Sequence, residues 1–242
     1  MKCLVIGDSC IDRFIYCDIN RLCPEAPVPV LKPVSQTENP GMAGNVVANL
    51  ESLAETDVTV ITNTSPIIKT RYVDDKSGQM IMRFDENDYT GKCKVNFQEY
   101  FEHYVFDAVI ISDYNKGFLT EDTIKNIAKM SNCPTFLDTK KKLGKWCYNI
   151  DFIKINEYEW NNNKDYESDN IIVTRGADGA SYNNSIFKPK REVMVSNVSG
   201  AGDTFMAGLV YSYVNTRSIE NSIRFANECA SHVVQQRGVV SL

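Results

Sequence analysis

The chain has 242 residues, 43% hydrophobic and 24% charged, with 26 Lys and Arg against 31 Asp and Glu for a net charge of −5. That length and apolar content can bury a sizeable core without disulfide or metal staples, which excludes collagen-like, disordered and small disulfide-rich classes and predicts one or two domains. The acidic balance excludes the basic field that non-specific duplex binding needs, and the apolar runs fall far short of the ~18 residues of a membrane span, so a soluble, cytoplasmic protein without a leader and without nucleic-acid or membrane partners is expected.

Short apolar runs alternate with polar, helix-forming stretches along the chain. CLVIG (3–7) predicts the first strand, with Asp8 and Asp12 just beyond it. Residues 14–34 hold four prolines and no helical period, which confines them to edge strands or loops. A helix is predicted from near Gly44, with Val46, Val47, Leu50, Leu53 and Ala54 on one face. VTVIT (58–62) predicts the next strand, and residues 70–85 read as a hairpin, TRYV and QMIMRF joined by DDKSG. The segments near 14–34 and 70–85 together predict a small β lid standing off the main body.

Strands AVIIS (108–112), TFLD (135–138), FIKIN (152–156) and IIVT (171–174) follow, with a helix after Thr120 marked by Ile124, Ile127 and Ala128 and by Glu121 and Asp122 in its first turn. DTFMAGLVYSYV from Asp203 and the stripe Ile219, Ile223, Ala226, Ala230 and Val233 predict the last two helices. The runs are unbroken rather than alternating, as in strands covered on both faces. The alternation of strand and helix predicts an α/β sandwich with a mainly parallel sheet, residues 1–242 forming one domain. Eight cysteines without a C-x-x-C, beside only two histidines, read as reduced thiols filling the core and not as zinc ligands.

In open α/β sheets ligands bind beyond the carboxyl ends of the strands. Here those ends carry Asp113, Asp138, Asn156 and Thr174, which reads either as a crevice lined for a polar ligand or as separate turn formers and caps. The sharpest motif is Ser199-Gly200-Ala201-Gly202-Asp203 at the start of a helix. Small residues there let the backbone approach an anion, with the first helical amides and the dipole behind them. Asp203 in that first turn suits a general base for an attacking hydroxyl, the other reading being a glycine-rich turn capped by an acid. Asn156 and Glu159 in N-x-x-E could hold Mg²⁺ through water or begin a solvated helix. Gly41, Gly44, Asn45 and Asn49 suit sugar hydroxyls or structural caps, and Asp12 could accept from a polyol.

In order and spacing these residues resemble the ribokinase-like (pfkB-type) carbohydrate kinases: Gly7, Asp8 and Asp12; G-x-A-G-N at 41–45; N-x-x-E at 156–159; TRGADG at 174–179; and SGAGDTF at 199–205. Within that superfamily GDSCIDRFIY, RLCPEAPVPVLKP, ENPGMAGNVVANLESL, ISDYNKGFLT and LDTKKK are most similar to the heptose 7-phosphate kinases of bacterial ADP-heptose synthesis, the proline-rich PEAPVPV above all. The resemblance implies a three-layer ribokinase-like sandwich with a β lid and an ATP-dependent kinase acting on the anomeric hydroxyl of a heptose 7-phosphate. A kinase of another small sugar or polyol, and a non-catalytic binding relative, are the alternatives.

Carried over position by position, the resemblance makes Asp203 the base and the amides of Gly200, Ala201, Gly202 and Asp203 the anion hole. Asn156 and Glu159 would serve the nucleotide phosphates and Mg²⁺, with Thr174, Gly176 and Asn227 along ATP and Ser199 supplying the hydroxyl where the family has threonine. Asp12, Gly41 and Asn45 would bind the sugar, and Lys69, Arg71, Arg83 or Lys116 would meet a substrate phosphate. Pairing of two copies through the lid is implied too. The chain departs from the family at Met42, which replaces a glycine, and in two shortened stretches. Roughly one βα unit of about 25–35 residues is missing around VTVIT, and residues 160–170 are too few for the usual crossover. No fused adenylyltransferase is expected after Gly238.

Overall fold

The computed structural model describes every residue except 54, 192, 237 and 239. In chain order it comprises β1 (Lys2–Gly7), β2 (Ser9–Asp18), β3 (Lys32–Met42), α1 (Ala43–Leu53), β4 (Asp57–Thr62), β5 (Ile67–Asp74), β6 (Met80–Glu86) and α2 (Phe97–His103). Then come β7 (Ala108–Asp113), α3 (Glu121–Met130), β8 (Thr135–Thr139), β9 (Phe152–Asn156), α4 (Glu157–Asn161) and β10 (Ile171–Thr174). The chain ends with β11 (Ala180–Tyr182), β12 (Ser185–Phe187), α5 (Ala201–Thr216) and α6 (Ile219–Val233).

Eight strands form one sheet in the order β12-β11-β10-β9-β8-β7-β1-β4, parallel from β10 to β4 and antiparallel at the β11–β12 edge. The unbroken apolar runs are explained by helices on both faces. On one face Leu4, Ile6, Ile111, Leu137 and Ile153 pack with Ile124 and Ile127 of α3. On the other Val5, Ile110, Phe136 and Ile172 pack with Leu50 of α1, Phe205 and Leu209 of α5 and Ile223 of α6. This is the three-layer sandwich the strand and helix alternation predicts. Local signals agree with it. Thr120 caps α3 by accepting from the Thr123 amide at 3.1 Å, and all eight cysteines are free.

VTVIT departs from that pattern. It forms the edge strand β4, whose Val60 is 45% exposed, because the chain passes from Thr62 to β5 with no helix between to cover it. At the second shortened stretch α4 has only five residues, yet β9 and β10 remain parallel neighbours. Ala54, placed in the α1 stripe by the sequence, lies outside the described residues.

The second sheet, β3-β2-β5-β6, is the expected lid with changed limits. The hairpin of β5 and β6 is present, with Arg71 opposite Arg83. The segment 14–34, however, is the end of β2, a loop joined by one bridge between Leu22 and Pro29, and only the start of β3. The prolines keep the middle of this segment out of the ladder, while β2 and β3 pair from Ser9–Met42 outward. The lid is therefore rooted directly at the carboxyl end of β1.

Candidate active site

The carboxyl ends of β7 to β10 line up in register: Ser112 beside Asp138, Asp138 beside Lys154, and Asn156 beside Thr174. Asp113 is buried and is held by Lys141 at 2.6 Å and by the Thr139 hydroxyl at 2.6 Å, so its role is to brace the sheet edge. Asp138 and Lys154 form a buried pair at 2.7 Å. Lys140 approaches Asp138 at 3.6 Å and also pairs with Glu159, so acids and ammonium groups alternate along the edge. The opposing ammonium groups hold Asp138 below the usual carboxylate range despite the burial that works against this.

Facing this edge is the start of α5. Gly200 sits at φ 82, a left-handed conformation that lets the chain turn into the helix without a Cβ penalty. The Ala201 amide reaches back to the Val198 carbonyl at 3.3 Å, whereas the amides of Gly202 and Asp203 have no acceptor among the described residues. A Cβ on Gly202 would stand 2.9 Å from the Lys154 ammonium. A buried cation at a helix N-terminus opposes the dipole, and an anion between them would satisfy both. Lys154 thus faces the amides expected to form the anion hole. The sequence reading missed it, although a lysine inside the apolar run FIKIN was the available signal.

Asp203 lies buried in the same first turn. Its Oδ1 accepts from the Tyr114 phenol at 2.7 Å and its Oδ2 from Asn45 Nδ2 at 3.2 Å. Burial pushes the carboxyl up to about 6; the Tyr114 hydrogen bond opposes this, the Asp138 charge adds to it, and Lys154 and Asn45 oppose it. A carboxylate poised there can take a proton near neutral pH.

Two cavities flank this turn, and Val198 lines both. One, of about 410 Å³, is lined by Thr174, Gly176, Ala201, Gly202 and Asn227, so the positions expected along a nucleotide share one wall with the anion hole. The other, of about 490 Å³, lies under the lid and is lined by Phe14, Tyr16, Arg71, Arg83 and Ser199. Ser199 lines the lid cavity, just before the left-handed turn at Gly200, and is absent from the lining of the cavity that holds Thr174, Gly176 and Asn227. Asp12 reaches the lid cavity through its ion pair with Arg71, and a Cβ on Gly41 would collide with Asp12 Oδ2 at 2.1 Å. Asn45 stays with Asp203 and does not line that cavity. Lys116 departs from its expected role: its ammonium pairs with Asp88 at 2.5 Å, outside the cavity lining. Met42 adopts φ 58, which explains glycine as the family residue, and its side chain packs with Cys10, Ile67 and Tyr114.

Asn156 and Glu159 form a reciprocal capping box at the start of α4, each side chain bonding the other's amide at 2.8 Å. Lys140 occupies the remaining face of Glu159. No cluster of three or more His, Cys, Asp or Glu able to cage a metal is found among the described residues. Glu159 retains lone pairs beyond these bonds, which suits Mg²⁺ attached through water and phosphate oxygens, the usual mode for this ion. No helix among the described residues is long and apolar enough to cross a membrane.

Comparison with known proteins fits this arrangement. The chain is 29% identical, over an alignment of 299 residues, to the bifunctional protein HldE of Campylobacter jejuni strain RM1221, covering all of this chain and 62% of that protein. The alignment exceeds the 242 residues of this chain because the relative has stretches this chain lacks. The fold superposes on ribokinase from Thermotoga maritima with a TM-score of 0.72 at 18% identity, covering 98% of this chain and 94% of that one. It also superposes on Arabidopsis thaliana ribokinase complexed with ribose and ATP, with a TM-score of 0.71 at 15% identity, covering 98% and 93%. The pfkB carbohydrate kinase family matches residues 48–242, a span that includes the capping box, the anion hole and Asp203. The chain belongs to the pfkB family of carbohydrate kinases, enzymes that phosphorylate a sugar hydroxyl.

Proposed function

We propose that this kinase transfers the γ-phosphoryl group of ATP to the anomeric hydroxyl of a heptose 7-phosphate. The observation that carries the reading is the buried Asp203 beside two unpaired amides and the Lys154 ammonium. Asp203 takes the proton of the attacking hydroxyl, while the Gly202 and Asp203 amides and Lys154 hold the transferring phosphoryl group. Thr174, Gly176 and Asn227 line the nucleotide cavity. Glu159 would hold Mg²⁺, which would supply charge neutralisation at the nucleotide phosphates.

A phosphorylated substrate is supported by Arg71 and Arg83, which face one another across β5 and β6 and both line the lid cavity. Guanidinium groups suit bidentate binding of phosphate. The heptose itself is supported by the likeness to HldE, of which this chain spans 62%. Met82 and Phe84, paired with Tyr72 and Thr70 on the other face of the lid, leave an apolar surface that supports pairing of two copies through the lid.

The test is ADP release over a panel of free sugars and their phosphates. The expected result is turnover with a heptose 7-phosphate that falls by about 10²–10⁴-fold in Asp203→Asn with ATP affinity nearly unchanged. Arg83→Met should raise KM for the phosphorylated sugar about tenfold or more and leave KM for ATP alone. Turnover of free sugars only, or an Asp203→Asn variant of near-normal rate, would defeat the respective part of the reading.

A further inference from the structure

Tyr114 was not among the residues expected to act, yet its phenol oxygen stands 2.7 Å from Asp203 Oδ1, the shortest hydrogen bond that carboxylate makes. Its main chain is fixed from below. The Tyr114 amide donates to Asp8 Oδ2 at 2.8 Å and the Lys116 amide to the same oxygen at 3.2 Å. Asn115 and Gly117 both take positive φ, 56 and 101, and a Cβ on Gly117 would meet the Thr90 carbonyl at 2.7 Å. The loop therefore has one tight path, and the ring packs against Cys10, Met42 and Ile67.

The ring also lies between two regions of the site. The ammonium of Lys69, from lid strand β5, is 5.4 Å from the ring centroid, and that of Lys140, which pairs with Glu159, is 5.2 Å from it. Cations against an aromatic ring are attracted to it and make its hydroxyl a better donor. Burial and the carboxylates of Asp203 and Asp138 nevertheless hold the phenol well above its ordinary pKa, so it keeps its proton and can only donate to an ionised partner.

We propose that Tyr114 is a positioning residue for Asp203, fixing the orientation of the carboxylate and favouring its ionised form until the sugar hydroxyl arrives. The proposal rests on the reading of Asp203 as the base. With Oδ1 held by Tyr114, Oδ2 is the oxygen that turns to substrate, steadied by Asn45. As the hydroxyl attacks the γ-phosphorus of ATP, its O–H bond breaks and the proton passes to Asp203. The new O–P bond forms, the bond to ADP breaks, and Tyr114 retains its own proton throughout. The other groups that face Asp203 are Cys10 on β2, Asp138 on β8, Lys140 just after β8 and Lys154 on β9. None of them donates a hydrogen bond to the carboxylate.

The experiment follows the Asp203 carboxyl by ¹³C NMR titration of the full chain, with Asp203→Asn assigning the resonance. The wild-type midpoint is expected near 6. Tyr114→Phe should raise it by about one unit, the worth of a hydrogen bond to a charged group. Replacing Tyr114 with 2,3-difluorotyrosine, whose phenol is a stronger donor, should lower it. Opposite shifts in the two variants exclude a mere change of packing, and the fluorinated residue preserves the fold if the phenylalanine variant does not. In turnover, the acidic limb of kcat should move with the titration midpoint while KM for ATP stays put. A midpoint unmoved in both variants overturns the role of Tyr114 whatever the activity. Midpoints that shift as expected in a protein that phosphorylates no sugar overturn Asp203 as the base and keep its coupling to Tyr114.

Discussion

Val109, Ile110 and Ile111 of β7 are wholly buried, whereas in β6 of the lid Met82 is 47% exposed and Phe84 53% exposed, although both strands carry large apolar side chains. The covering differs. The large sheet has helices against both faces, while the lid turns one face toward the body and leaves the other open. The charged residues follow the same division. Asp138, Lys154 and Asp203 at the end of the large sheet are buried, whereas the Arg83–Asp85 pair on β6 is solvent-exposed. Burial makes the first group able to hold and move charge, and exposure leaves the second free to adapt to a substrate.

The sharpest way to break this comparison is to remove one aromatic ring from the large sheet. Phe136 is completely buried and stacks on Phe152 at 5.2 Å between ring centroids, with Tyr213 edge-on at 5.6 Å. Phe136→Ala should cost about 3–5 kcal/mol of stability by lost transfer energy and the cavity left behind. Urea unfolding monitored by circular dichroism measures it, and a loss under 1 kcal/mol would mean that the layer collapses freely.

A smaller effect comes from the charge buried at the site. Asp203 titrates near 6 in the folded chain, above the 3.8 of a free carboxyl. Between those values the native state holds more proton than the unfolded state, so this group makes stability decline as pH rises through about 4 to 6. The cost is fully present above the folded pKa and absent below the unfolded one. Asp203→Asn should therefore be more stable than the parent by roughly 1–3 kcal/mol at pH 8, with the advantage vanishing near pH 4. Equal gains at both pH values in urea melts would show that the carboxyl is not the source.

Features fixed by local chemistry were legible in the sequence. Thr120 and the acids after it mark α3, the run AVIIS marks β7, and SGAGD marks a helix start whose amides stand free. The residues that escaped notice depend on neighbours distant in sequence. Lys154 stands against the start of α5 because sheet order places β9 beside β8 and opposite that helix, and Tyr114 meets Asp203 across 89 positions of chain. Lys116 misled for the opposite reason: a free lysine near a strand end suggested a phosphate, but a loop brings Asp88 to it. Ser199, expected along the nucleotide, lines the lid cavity, a placement that the motif itself does not encode.

The lid supplies the smallest effect. Phe84 is paired with Thr70 across β5 and β6, on the face turned away from Arg71 and Arg83, and more than half of it is exposed. Phe84→Thr puts a β-branched residue suited to a strand in place of the ring and removes little buried area, so the isolated chain should change in stability by less than about 0.5 kcal/mol. If two copies pair through this face, the same substitution removes an apolar anchor from the contact. Light scattering should then show a dimer in the parent and a monomer in the variant at equal concentration. Because pairing stabilises by mass action, the parent's melting temperature should rise with protein concentration and the variant's should not. A parent that is monomeric at all concentrations would overturn pairing through this face of β6.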